Sequence, residues 1–240
     1  STGERLGLAP TRLPANCWAN AGDLLLDPAA DARPAVACLL NGVADAGRRV
    51  LALDEIAVDA NCWRVFAKEI ARRKGRFYCQ RRSRVGVVDI LHDWERYERS
   101  WSGNHRSAVR RSYKKLCQAG EVRTERFSSV DDPLEELLSI AFEIEDRSWK
   151  GEAGTSVLRT PGMFEYIAAE ATQAARDGHL DLWFLYLDDK PIAFEYCHVA
   201  KGIYFSHKIG YEAQYARFGP GRLLRYLQLQ AFHADPTCRQ

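Results

Sequence analysis

Residues 180–199 read LDLWFLYLDDKPIAFEYCHV. Leu180–Leu187 is an almost unbroken apolar and aromatic run, too short for a core helix and rich in strand formers. Asp188-Asp189-Lys190-Pro191 then supplies turn residues, and Ile192–Val199 resumes the run. Lys201-Gly202 makes a second tight turn, and Ile203–Ile209 reads as a third strand. Three strands joined by such short turns predict an antiparallel meander. Beyond Gly210, the stretch Arg217-Phe218-Gly219-Pro220-Gly221-Arg222 leads directly into a helical pattern with Leu223, Leu224, Leu227 and Ala231 on one face.

Upstream of the meander the apolar period is 3.6. Asp132-Pro133 with Glu135 predicts a capped helix start, and Leu134, Leu137, Leu138, Ala141 and Ile144 form its buried stripe as far as Trp149. Lys150-Gly151-Glu152-Ala153-Gly154-Thr155 is a polar glycine loop, and Thr160-Pro161 opens a further helix stopped by Gly178. Residues 104–118 form a helix with Val109, Tyr113 and Leu116 inward. Its outer side carries Arg106, Arg110 and Lys114 in one row, with Arg111 and Lys115 in another. That face suits either a solvated surface or a cradle for an anionic ligand or phosphate chain. The first hundred residues read as irregular to about 30, then a helix from Pro34 to Ala46, a short strand Val50–Leu53 and a helix Asn61–Lys74. Two strand-like runs follow, Arg76–Gln80 and Val85–Leu91.

The chain has 240 residues, 46% hydrophobic and 11% aromatic, enough for one large or two small domains and too apolar for a disordered polyampholyte. The formal net charge of +2 argues against a general nucleic-acid binder. It conceals a basic segment, 72–126, with 16 Lys and Arg against 6 Asp and Glu. Seven cysteines, odd in number and scattered, form no CxxC pair and no zinc-spaced cluster, which predicts free, mostly buried thiols in a reduced, cytoplasmic protein. No apolar run is long enough to span a bilayer.

Two helices, a three-stranded meander and a glycine turn opening a helix resemble, in that order, the Gcn5-related N-acetyltransferase (GNAT) superfamily. Glu145-Asp146-Arg147-Ser148-Trp149-Lys150-Gly151 with Gly154-Thr155 looks like the cellulose-biosynthesis (CelD-like) acetyltransferase group, to which FemAB-type transferases are related. The basic stretch Arg106–Leu116, the hairpin Leu185–Phe194 and Lys208-Ile209-Gly210-Tyr211 match too, so the resemblance covers about residues 100–235. It implies an α+β fold, with a mixed, mostly antiparallel sheet flanked by helices, in two tandem GNAT-like units that are both incomplete in this chain. Residues 1–100 would be part of an N-terminal unit. Residues 101–240 would be a C-terminal acyltransferase unit lacking its last strand–helix portion, as in a window cut from a longer protein.

The resemblance implies transfer of an acyl group, acetyl in the first place, from a CoA thioester to an amino group of a sugar or small metabolite, in polysaccharide or envelope biosynthesis. Acetyl-CoA or another acyl-CoA is the expected co-substrate, with no metal. Gly219, Gly221, Arg222 and Leu223 are the expected binders of its diphosphate, at a helix N-terminus where glycine permits close approach. Glu195, in the central meander strand, is a candidate base or else a structural partner of Lys208 on the next strand. His207 is a second candidate base. Tyr211, with Tyr215, follows the third strand and could orient substrate or protonate the leaving thiolate. Trp149, Lys150 and Lys208 are the candidate acceptor-side residues. Two other readings stand beside this one. One is a FemAB-type transferase using aminoacyl-tRNA to extend a peptide bridge, the single case in which nucleic acid would be a partner; the other is a non-catalytic GNAT-like binding module. Nothing in the residues predicts an oligomeric state.

Overall fold

A computed structural model describes residues 10–13, 24, 26–27, 29–81 and 86–239. The chain divides into two compact units, 1–86 and 87–240. In the first, β1 (Thr11–Arg12) pairs in parallel with β2 (Leu51–Ala52). Helices α1 (Ala32–Asp45) and α2 (Asn61–Arg72) close over Val36, Leu40, Trp63 and Phe66. Asp31 caps α1 by accepting the Arg33 N–H at 3.0 Å. Residues 76–81 and 86–91, read above as strands, are irregular, and the intervening 82–85 lie outside the described residues. Phe77 and Tyr78 are exposed, so the apolar character that suggested a strand there has no core to face.

The second unit begins with α3 (Trp94–Ser100) and α4 (Gly103–Cys117), capped by Asp93 and Ser102. Its sheet has the order β3 (Val122–Phe127), β4 (Leu180–Leu187), β5 (Lys190–Ala200), β6 (Ile203–Tyr211), antiparallel throughout. The meander lies where the apolar runs and the turn residues put it. Asp188 and Lys201 take the left-handed conformation at its two turns, beside Gly202 at φ 77°. Strand β3 escaped the sequence reading because Arg123, Glu125 and Arg126 interrupt its apolar pattern. Arg123 pairs with Glu125, and Arg126 reaches the buried Asp181 at 2.6 Å.

Helices α5 (Leu134–Asp146) and α7 (Met163–Arg176) pack on one face of the sheet, while α8 (Pro220–Ala234) packs on the other with α3 and α4 behind it. Phe142 of α5 meets Phe194 of β5 edge to face at 5.9 Å. From α8, Leu223, Leu224, Leu229 and Phe232 are buried, each contributing roughly 1.5–3 kcal/mol. The arrangement is an α+β sheet flanked by helices, as expected. The α5 start differs in detail. Asp132 does not cap it; its carboxylate turns back to accept the Ser128 and Ser129 N–H groups at 2.9 and 2.8 Å. The last turn also separates, as a short α6 (Trp149–Glu152). Among the described cysteines none is in a disulfide; only Cys197 and Cys238 are buried, whereas Cys38, Cys79 and Cys117 are exposed, so they are not mostly internal.

Candidate active site

Strand β6 pairs with β5 alone, so among the described residues its outer edge is open. Its register carries one irregularity. From Ala200↔Ile203 to Cys197↔Ser206 the partners step evenly; then Tyr196 faces Lys208 and Glu195 faces Ile209. His207 is the extra residue of a β-bulge, which re-aims its side chain. Continuing the even step would have set Glu195 opposite Lys208, the pairing considered from sequence. The bulge moves Lys208 opposite Tyr196 and gives Glu195 another partner. Gly210 lets β6 lie tightly over the sheet, since a Cβ there would stand 2.4 Å from the Phe194 ring.

That partner is Arg225 of α8, whose guanidinium binds the Glu195 carboxylate and also donates to Ser206 Oγ at 2.9 Å. Glu195 is 2% exposed. Burial pushes its carboxyl up, against the pull of Arg225, and Asp181 on the same face is pushed up by burial in the same way. Cys197 lies against Glu195, and burial raises its thiol well above the ordinary range. Arg225→Met would leave this carboxylate without its cation. The expected cost is about 2 kcal/mol, at the low end for a buried pair because the Arg225 side chain is 39% exposed. With its folded pKa already raised, Glu195 is protonated more readily in the native state than in the unfolded chain. Denaturant titrations at several pH values should therefore show the Arg225→Met deficit large at pH 8 and shrinking toward pH 5.

At its C-terminal end β6 runs into Glu212, a short 3-10 helix (Ala213–Phe218) and Gly219. Gly219 sits at φ 64°, ψ 51°, and Pro220 takes the first helical position of α8. The Leu223 N–H is spent inside the helix on the Gly219 carbonyl at 3.0 Å, and its side chain is buried. Leu223 is thus not available as a donor, contrary to the sequence expectation; the first-turn N–H groups without an intrahelical acceptor are those of Gly221 and Arg222. The Arg222 guanidinium folds back beside Gly219, 3.1 Å from where a Cβ would lie, and donates to Ser112 of α4 at 3.0 Å. Tyr211 stands at the same turn, its ring 3.7 Å from a Cβ placed on Gly221. Gly221, Arg222 and Tyr211 are therefore brought together.

The motif Glu145–Gly151 ties α5 to β6. Lys150 Nζ donates to Glu145 Oε1 at 2.8 Å and to the Ile209 carbonyl at 2.9 Å, and the other Glu145 oxygen accepts the Val157 N–H at 2.9 Å. Arg147 holds the buried Glu212 at 2.8 Å. Asp146 accepts from Arg159 and Ser156, which keep its carboxyl below the usual range. Ser148 caps α6. Lys150 is thereby engaged within the protein, while Trp149 beside it is 65% exposed.

On the face covered by α5 and α7, His207 is not the isolated histidine its strand position suggested. Its ring stacks on His198, with centroids 5.2 Å apart and planes at 25°, and lies 5.8 Å from Tyr196. His198 meets Glu170 of α7 at 2.6 Å. Burial, and then the neighbouring His198, hold His207 below the ordinary histidine range. Sequence reasoning missed Glu170, Tyr196 and His198. A two-residue turn at Lys201-Gly202 pairs residues whose numbers sum to about 403, which brings His198 and His207 near each other; Glu170, on a separate helix, left no local signal.

Of the basic residues on α4, Arg110 holds Glu98 at 2.5 Å and Arg106 donates to the Arg99 carbonyl at 2.7 Å. These two arginines thus have partners within the fold, while Arg111, Lys114 and Lys115 are exposed. Among the described residues no three acidic, histidine or cysteine side chains are placed to hold a metal ion, and no helix is long and apolar enough to cross a membrane.

An antiparallel meander with one open edge, leading through a glycine turn into a sheet-packed helix, defines the class of fold. The family model described as "Acetyltransferase (GNAT) domain" matches residues 103–239, from α4 to the segment after α8. The chain belongs to the GNAT family of acetyltransferases. A search of curated proteins finds no match.

Proposed function

We propose that the chain transfers an acyl group, acetyl first, from a CoA thioester to an amino group of a sugar or small metabolite. The observation that carries this reading is the α8 N-terminus beside the open β6 edge. There the Gly221 and Arg222 N–H groups have no intrahelical acceptor, and the Arg222 guanidinium lies beside Gly219. They fit a diphosphate, and they would hold the donor with its chain running along β6 toward His207. The bound thioester supplies the electrophilic carbonyl carbon.

His207 then takes a proton from the acceptor's ammonium, the amine nitrogen bonds to the carbonyl carbon, and the carbon–sulfur bond breaks. Tyr211, at the mouth of the turn, gives a proton to the departing thiolate and recovers one from the nitrogen, which sheds its second proton as the amide forms. His207 is preferred to Glu195 because it is partly exposed at the open edge, whereas Glu195 lies beneath α8 with its carboxylate held by Arg225. Trp149 offers an exposed aromatic face to the acceptor, and Lys150 steadies the strand edge it crosses. The Glu145–Gly151 motif supports the CelD-like group, and through it a role in polysaccharide biosynthesis. The pairing of Arg110 with Glu98 and of Arg106 with the Arg99 carbonyl lessens the cationic face offered to tRNA and favours a small donor.

Calorimetric titration with acetyl-CoA tests the donor site. Gly221→Glu places a carboxylate at the helix N-terminus, where it suits the helix dipole but repels a diphosphate. The folded variant is expected to bind acetyl-CoA at least tenfold more weakly, about 1.4 kcal/mol. Equal affinity in wild type and variant would remove the diphosphate from this turn.

A further inference from the structure

The face of the sheet under α5 and α7 holds a polar group that the donor turn does not use. Glu170 of α7 receives the Tyr196 hydroxyl on one carboxylate oxygen and meets His198 Nε2 at 2.6 Å on the other. His198 Nε2 also lies 3.1 Å from the Tyr196 hydroxyl oxygen. A carboxylate only accepts, so His198 presents its Nε2–H to Glu170. The opposite end of the arrangement is the His198 ring stacked on His207 at the bulge. Burial pushes the Glu170 carboxyl up, but the bonds from His198 and Tyr196 outweigh it and hold it below the usual range. It therefore remains an anion at neutral pH.

Such a group is a poor choice for stability alone. Well-packed apolar side chains of similar volume would hold the same layer at no loss, because each partly buried ion gives up its hydration. What the polar arrangement adds is orientation. We propose that Glu170 and His198 are positioning residues for His207: Glu170 fixes the His198 ring through Nε2, and the stacked His198 ring holds His207 in one orientation at the β6 bulge, facing the open edge. Tyr196, fully buried, locks the second Glu170 oxygen and keeps the carboxylate from swinging away. The inference rests on the reading of His207 as the proton acceptor.

The groups that face His207 are His198 and Tyr196 on β5, Glu170 on α7 and Lys208 beside it on β6. His198 and Lys208 oppose a proton on His207, and Glu170 favours one. Removing the His198 charge therefore moves His207 titration to higher pH.

The experiment follows the histidine ring resonances of the full chain by NMR against pH, in wild type, His198→Gln and Glu170→Gln. Expected are a higher His207 midpoint in His198→Gln and loss of the protected His198 Nε2–H signal in Glu170→Gln. With an amine acceptor found by screening, both variants should lose about tenfold in kcat with KM for acetyl-CoA unchanged. A His207 midpoint and ring signal indifferent to both substitutions would overturn the positioning role. Should His198→Gln fail to fold, the Glu170→Gln spectra decide alone. His207→Gln separates the two readings. If it abolishes transfer while the other variants keep full kcat, positioning fails and the base stands; if it retains full activity, the base assignment falls and this inference with it.

Discussion

His207→Gln should lower kcat by about 10²–10⁴ while leaving acetyl-CoA affinity and the unfolding midpoint close to wild type. Glutamine preserves the polar volume at the bulge but cannot accept a proton at neutral pH. The lost factor is therefore the general-base contribution and little else. His207 sits at the open edge of the sheet, away from the Gly221 and Arg222 N–H groups, so donor binding has no reason to change. The pH profile gives a second readout with a definite sign. Burial and the His198 charge hold the His207 pKa below the ordinary value of 6.5. The wild-type rate should accordingly fall only on acidification below that range and be level from neutrality upward. In the variant that acid limb should vanish. Thiol release from acetyl-CoA with a screened amine acceptor measures both, and a variant with undiminished kcat would return the question to Glu195.

The largest stability effect is expected at Gly151. Its backbone does not require glycine, since its φ is not positive, but its surroundings do: a Cβ would lie 1.8 Å from the Asp146 carbonyl oxygen. Both groups belong to the corner where α5 ends and α6 begins, so neither can move alone. Shifting that corner would disturb Lys150 on Glu145, Arg147 on Glu212 and Arg159 on Asp146 together. Gly151→Ala is expected to cost on the order of 3 kcal/mol or more. Gly154, three residues on, supplies the control. It needs glycine for the opposite reason, with φ at 70° and open space where a Cβ would go. Alanine there meets only backbone strain, about 1–2 kcal/mol. Denaturant midpoints for the two variants should differ clearly, with Gly151→Ala the lower. Equal midpoints would mean that the α5–α6 corner yields cheaply.

The motif Glu145–Gly151 is legible in the sequence as a motif, but the partners of its charged residues are not. Lys150, expected on the acceptor side, donates in the fold to Glu145 and to the Ile209 carbonyl, while Asp146 accepts from Arg159 and Arg147 holds Glu212. Trp149 is left facing outward. The reverse holds on the sheet face under α7, where unremarkable residues of three elements, Glu170, His198 and His207, meet in one cluster.

The meander, the glycine turn and the helices that flank them were determined by the sequence alone. The apolar runs along Leu180–Ile209, turn residues at 188–191 and 201–202, and the 3.6 period of α5 and α8 act between residues close along the chain. Strand β3 was not legible, because Arg126 finds its partners, Asp181 of β4 and Tyr204 of β6, only once the sheet has assembled. The identity of Glu195's partner and the surroundings of His207 were decided by tertiary structure. A single extra residue at the β6 bulge shifts the pairing by one, turning Glu195 from Lys208 to Arg225, 30 residues away, and setting His207 against a ring held by Glu170. Such a shift follows from how strand, sheet and covering helices fit together, and no local pattern of residues encodes it.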